Sequence, residues 1–144
     1  MSNGKKTKSK SSIKAVAVRR GIWRSNRAYR EVSEELRFPP FDIMVMNTYD
    51  ALVAAGGATF WRMKATSNGS FFLFPEKEEK TVQVLSPNGH RACVSIEASG
   101  IVATLFALKQ LSPRWSAVAA LLRLAEYAIQ QPDSSEIRSL IAGL

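Results

Sequence analysis

The chain holds one cysteine, Cys93, and one histidine, His90, among 144 residues. A lone cysteine excludes an internal disulfide, and with a single histidine it cannot furnish the ligand set of a structural zinc site. Asp and Glu are scattered without metal-ligand spacing, and neither glycine-rich phosphate motif occurs, so no metal or cofactor is expected. Long apolar runs are missing too. Near the N-terminus the longest is Ala15-Val16-Ala17-Val18, short of the ~7–15 residue core of a secretory signal. The uncharged stretch 98–108 is bounded by Ser95 and Glu97 on one side and Lys109 and Gln110 on the other. A spanning helix needs about 20 apolar residues, so this stretch does not cross a bilayer. No membrane partner is expected, and a reducing cytoplasm fits the cysteine usage.

Acids are absent from the first 30 residues, which carry ten bases: Lys5, Lys6, Lys8, Lys10, Lys14, Arg19, Arg20, Arg24, Arg27 and Arg30. The rest of the chain has ten bases against twelve acids, so the overall +8 describes one end and hides a mildly acidic body. Such a tail suits non-specific contact with a phosphate backbone, and equally suits a solvated extension. Catalysis has little to draw on. A nucleophile needs a base within hydrogen-bond reach; only His90, in a Pro-Asn-Gly-His turn, could serve Cys93 or Ser95. A free cysteine in a strand is more often packing, so no catalytic residue is expected.

What the chain does have is alternating helical and strand pattern. Residues 1–37 read as a basic N-terminal extension, largely disordered or partly helical, with Tyr29, Val32 and Leu36 on one helical face from about Ser25. Pro39 and Pro40 end it, and residues 38–144 read as a single α+β domain starting near Phe38. Phe41, Met44, Val45 and Leu52 recur at helical spacing, with Gly56 and Gly57 as terminators. The segments 59–64 and 71–75 flank Asn68-Gly69, a dipeptide suited to the positive φ of a hairpin turn. Thr81–Leu85 alternates as a third strand, Pro87-Asn88-Gly89 turns, and Arg91–Ser95 returns as a fourth.

Ser95 is a good N-cap, and Glu97 in the first turn complements the helix dipole. Ile101, Leu105 and Leu108, flanked by Val102 and Phe106, then form a helix apolar over a wide arc, the central core helix. Gly100 inside it costs about 1 kcal/mol against Ala, which points to close approach by another backbone. A helix from about Trp115 to Gln130 and a short one opened by Asp133 or Ser134 complete the chain. The fold class is α+β: a small antiparallel sheet of three to four strands against a central apolar helix, with further helices N- and C-terminal. Trp61, Phe71, Phe72 and Phe74 read as core rather than as a stacking platform for bases.

Trp61, then Ser67-Asn68-Gly69 with Phe71, then Ser95, Glu97, Ala98 and Gly100 through Leu108 resemble the ArdB/KlcA family of antirestriction proteins. Phe41, Asp42, Val45 and Leu52 upstream and Tyr127 through Ala142 downstream fit the same pattern. Departures are Ala58 and Thr59 where the family has two glycines, Phe60 for its tyrosine, and Ser70 for the second glycine of the turn. The resemblance implies a non-enzymatic inhibitor from a plasmid or mobile element, relieving type I restriction of incoming DNA, with the type I restriction-modification system as partner. It points to Trp61, Ser67, Asn68, Gly69 and Glu97 as candidate partner-binding residues. Imitating duplex DNA would demand about one carboxylate per 1.7 Å of axis, and twelve acids against ten bases cannot supply that array. The alternative is a nucleic-acid-binding accessory protein acting through its basic tail.

Overall fold

The structure, a computed structural model, describes residues 12–54 and 60–144. In chain order it runs β1 (Ala15–Val18), a 3-10 turn (Arg20–Ser25), α1 (Arg27–Leu36), α2 (Phe41–Leu52), β2 (Trp61–Thr66), β3 (Phe71–Pro75), β4 (Thr81–Leu85), β5 (Arg91–Ser95), α3 (Ile96–Leu111), α4 (Trp115–Ala128) and α5 (Ser134–Ile141). The class is the expected α+β, but the strands divide into two antiparallel sheets, β1-β2-β3 and β4-β5.

Helix α3 is the centre. Ala98 through Leu105, Ala107, Leu108 and Leu111 are all buried, the condition of a helix apolar on every side. Ser95 caps it as expected, its Oγ accepting the Ala98 N–H at 3.1 Å. The helix lies along the outer edge of β3 in place of a fourth strand. There Thr104 Oγ1 accepts the Leu73 N–H at 3.1 Å and donates to the Gly100 carbonyl at 2.8 Å. Gly100 makes this approach possible: a Cβ there would overlap the Leu73 carbonyl oxygen and the Phe74 Cβ, and would lie 2.7 Å from the Phe74 Cα. With cover on both faces and on its edge, β3 is buried at every residue, Phe71-Phe72-Leu73-Phe74-Pro75. Aromatics fill the two sides. Phe71 meets Tyr29 and Phe41 edge-on at 5.5 and 5.8 Å, while Phe72 stacks on Tyr127 at 5.6 Å.

The N-terminal segment differs from expectation. Strand β1 pairs with β2 from Ala15↔Thr66 to Val18↔Met63, and Trp23, Tyr29 and Val32 belong to the core. Residues 15–36 therefore pack with the body that was expected to start near Phe38. The reason is that a few well-placed apolar side chains bury themselves whatever the charge around them. Lys5, Lys6, Lys8 and Lys10 lie outside the described residues, as do Gly56 and Gly57; α2 already stops at Leu52. No helix among the described residues is long and apolar enough to cross a membrane.

Candidate functional site

The hairpin β2–β3 carries most of the candidate residues and places them at opposite ends. At the turn, Ser67, Asn68 and Gly69 form a three-residue connection. Gly69 N–H bonds the Thr66 carbonyl at 3.1 Å and Thr66 N–H bonds the Ser70 carbonyl at 2.9 Å. Gly69 has φ +95°, and Asn68 is not in the left-handed region. A connection of this length closing on a left-handed glycine is a standard solution for a twisted hairpin. The turn faces α4: Asn68 Nδ2 donates to the Arg123 carbonyl at 2.8 Å and Ser70 Oγ to the Ala120 carbonyl at 2.7 Å. Ser67 holds the incoming N-terminal segment, since its Oγ accepts the Lys14 N–H at 3.0 Å and its own N–H bonds the Lys14 carbonyl at 2.7 Å.

Beside this turn runs a groove of about 1080 Å³ between α1 and α4. Arg27, Glu31, Glu34, Glu35 and Arg37 line one wall, and Trp115, Ser116 and Arg123 the other. Trp115 is 78% exposed, and Phe38, after the end of α1, is 84% exposed. Sequence reasoning did not find this groove, because it depends on two helices far apart in the chain. Its only local sign is Trp115 at the first position of α4, outside the buried stripe of Ser116, Ala117, Ala120 and Leu124.

Trp61 and Glu97 sit at the other end of the hairpin. Trp61 is core, as expected of the aromatics as a group; its ring meets Tyr49 edge-on at 5.2 Å. Burial holds the Tyr49 phenol above its ordinary value of 10.0, against the opposing hydrogen bond to Ser99. Glu97 does more than complement the α3 dipole. Its Oε2 accepts from Lys64 Nζ at 2.6 Å, half-buried, and the same ammonium lies 5.9 Å from the Phe74 ring centroid. Glu97 also helps to raise the Tyr127 phenol, after burial itself, because a phenolate beside a carboxylate is disfavoured. The structure thus splits the candidate residues into a turn group and a Trp61–Glu97 group.

The described cations of the N-terminal segment are largely committed to their own neighbourhood. Arg24 pairs with Glu34 at 3.2 Å and Arg27 with Glu31 at 2.9 Å, while Arg30 donates to the Arg24 carbonyl at 3.1 Å. Arg20 lies over the Trp23 ring at 5.8 Å. His90 and Cys93 are both exposed, and no hydrogen bond joins them among the described residues.

The sequence model of the family described as antirestriction protein matches residues 55–142. Two curated Escherichia coli relatives are each named antirestriction protein KlcA. One is 38% identical over 76 residues, covering 53% of this chain and 52% of the relative; the other is 43% identical over 53 residues, covering 37% of each. The chain spans about half the length, or less, of these curated relatives. A solved structure from work on the KlcA and ArdB proteins aligns with TM-score 0.73 at 25% identity, covering 90% of this chain and 94% of that one. Those proteins are described as having a novel fold and antirestriction activity against type I DNA restriction systems in vivo but not in vitro.

Proposed function

This chain belongs to the antirestriction protein family, and from that premise we propose that it relieves type I restriction of incoming DNA as a non-enzymatic inhibitor made by a mobile element. The observation that carries the reading is the structural likeness over 90% of the chain, together with the unbroken motif from Gly100 to Leu108. That motif is a packing element: it fits α3 against β3, so the residues that carry the resemblance build the scaffold. Inhibition then falls to exposed surface. The near balance of acids and bases in the body disfavours imitation of duplex DNA. The α1–α4 groove, with exposed Trp115 at its mouth, has the mixed charge and aromatic anchor of a protein-binding surface. The alternative, an accessory protein working through a free basic tail, draws less support because Arg24, Arg27 and Arg30 are engaged within their own segment.

The test is the plating efficiency of unmodified phage on a type I restricting host that expresses the chain. Plating should rise toward that of modified phage, and Trp115→Ala should lower the rescue while leaving the melting temperature unchanged. No rescue by abundant, folded protein overturns the proposal.

A further inference from the structure

A second cleft, of about 560 Å³, opens where the end of β1, the 3-10 turn and the start of β2 meet. It lies at the Trp61–Glu97 end of the hairpin. Four cations line it, Arg19, Arg20, Arg62 and Lys64, against two acids, Glu76 and Glu97. Both acids are already matched: Arg62 pairs with Glu76 at 3.2 Å and Lys64 with Glu97 at 2.6 Å. The surplus is the two guanidiniums of Arg19 and Arg20. Arg19 makes no ion pair among the described residues, and Arg20 is oriented over the Trp23 ring at 5.8 Å. The α1–α4 groove differs in being balanced, its lining cations Arg27, Arg37 and Arg123 equalled in number by Glu31, Glu34 and Glu35.

The same cleft exposes an aromatic ring on a fixed backbone. Phe60 is 62% exposed, yet its carbonyl is held by the Glu76 N–H at 2.9 Å, so the ring projects from an anchored position. Trp23 forms part of the wall, and its buried indole N–H has no acceptor among the described residues. An exposed aromatic face beside two guanidiniums that have no carboxylate partner among the described residues, in a space within the range of small-ligand sites, suits a stacked base with its phosphate. An acidic peptide would use the arginines and leave Phe60 unexplained. A duplex has its bases stacked inside and offers none to Phe60.

We propose that the cleft framed by Arg19, Arg20 and Phe60 binds a segment of single-stranded nucleic acid, Phe60 stacking on a base and the two arginines holding the adjoining phosphates. This site goes beyond the antirestriction reading and does not rest on it. It is tested by the fluorescence anisotropy of a 5′-labelled short oligothymidylate titrated with the full chain, beside phage plating with the same variants. Binding should weaken with salt, with a log–log slope of about −0.7 per phosphate contacted. Phe60→Ala should reduce affinity about tenfold, and the double variant Arg19→Ala, Arg20→Ala should flatten the salt slope. All three side chains are exposed, so an unchanged melting temperature is expected and separates loss of binding from loss of fold. Three outcomes overturn the proposal: no binding at low salt; binding indifferent to Phe60→Ala; or displacement by polyglutamate as effective as by unlabelled oligothymidylate, which would mark an acidic-polypeptide site. Rescue of phage plating that survives loss of oligothymidylate binding leaves the antirestriction reading standing.

Discussion

The two hairpins of this protein share a turn and differ in almost everything else. Thr66–Ser70 and Ser86–His90 have the same hydrogen-bond pattern: the glycine N–H bonds the carbonyl three residues back, and the residues flanking the connection pair across it. Each closes on a glycine of positive φ, +95° at Gly69 and +91° at Gly89. In each, the asparagine before the glycine sends its side-chain amide to a helix. Asn68 reaches the Arg123 carbonyl in the interior of α4, an acceptor already placed to serve its own helix. Asn88 donates to the Ser139 and Ala142 carbonyls, and Ser86 Oγ to that of Leu140. Those carbonyls belong to the end of α5, where no helical donors remain. The first turn clamps a hairpin onto a helix flank; the second caps a helix from outside. Local turn chemistry thus sets the bend, and the element it meets sets its purpose.

The largest effect should come from the helix beside the first hairpin. Overpacking typically costs 1–3 kcal/mol, but Gly100→Leu presses on β3 backbone, so a loss of about 3 kcal/mol or more, or failure to fold, is expected. Gly100→Ala should also lower the urea midpoint, despite the roughly 1 kcal/mol helix-propensity gain of alanine. A midpoint unchanged or raised in Gly100→Ala would break the claim that α3 and β3 are in backbone contact.

Next come the turn glycines. Gly69→Val and Gly89→Val both force a β-branched residue to positive φ, at a cost of about 1–3 kcal/mol. Gly69→Val should be the worse: a Cβ there already stands in van der Waals contact with the Arg123 side chain at 3.5 Å, so the added γ-methyls must displace it, whereas nothing lies within 4 Å of the Cβ position of Gly89. The reverse order of melting temperatures would undo the contrast. A smaller difference should separate the asparagines. Asn88→Ala should cost about 1 kcal/mol and speed amide exchange in α5 selectively; Asn68→Ala should leave exchange in α4 little altered.

Much of the β2–β3 hairpin was legible beforehand, for reasons that residues make clear. Asn68-Gly69 between apolar strands is a short-range signal, and Ser95 with Gly100–Leu108 announces a capped, fully buried helix within sixteen residues. The division into two sheets was not legible. Alternation in Thr81–Leu85 tells which side chains are buried, and is silent on which strand lies alongside. Strand β1 was hidden by length and company: four apolar residues are too few for a period, and they sit within the acid-free segment. Of the candidate site residues, the sequence placed Ser67, Asn68 and Gly69 in a turn. It could not show that Glu97 meets Lys64 from 33 positions away.

The smallest effect at neutral pH, and the one most specific to a region, is alkaline. The first hairpin is lined by Tyr29, Tyr49 and Tyr127, whose phenols are raised from 10.0, chiefly by burial. The second hairpin, residues 81–95, contains no Phe, Trp or Tyr of its own. A raised phenol keeps its proton in the folded state while the unfolded chain releases it near pH 10. Stability is therefore complete below that pH and declines as pH rises through the folded values. Tyr49→Phe should shallow this decline in a melting series above pH 9 or so, at the cost of the Ser99 hydrogen bond.

Thr104 gives the three-stranded sheet a direction. With its hydroxyl on the Leu73 N–H, the helix occupies the place where another strand would join, so the sheet is terminated on that side as a polymer is by a capping unit. Among the described residues, extension remains open only past β1. Any strand added to this three-stranded sheet, whether by lengthening the chain or by engineering a fused peptide, has one side to grow from, and it is the β1 side.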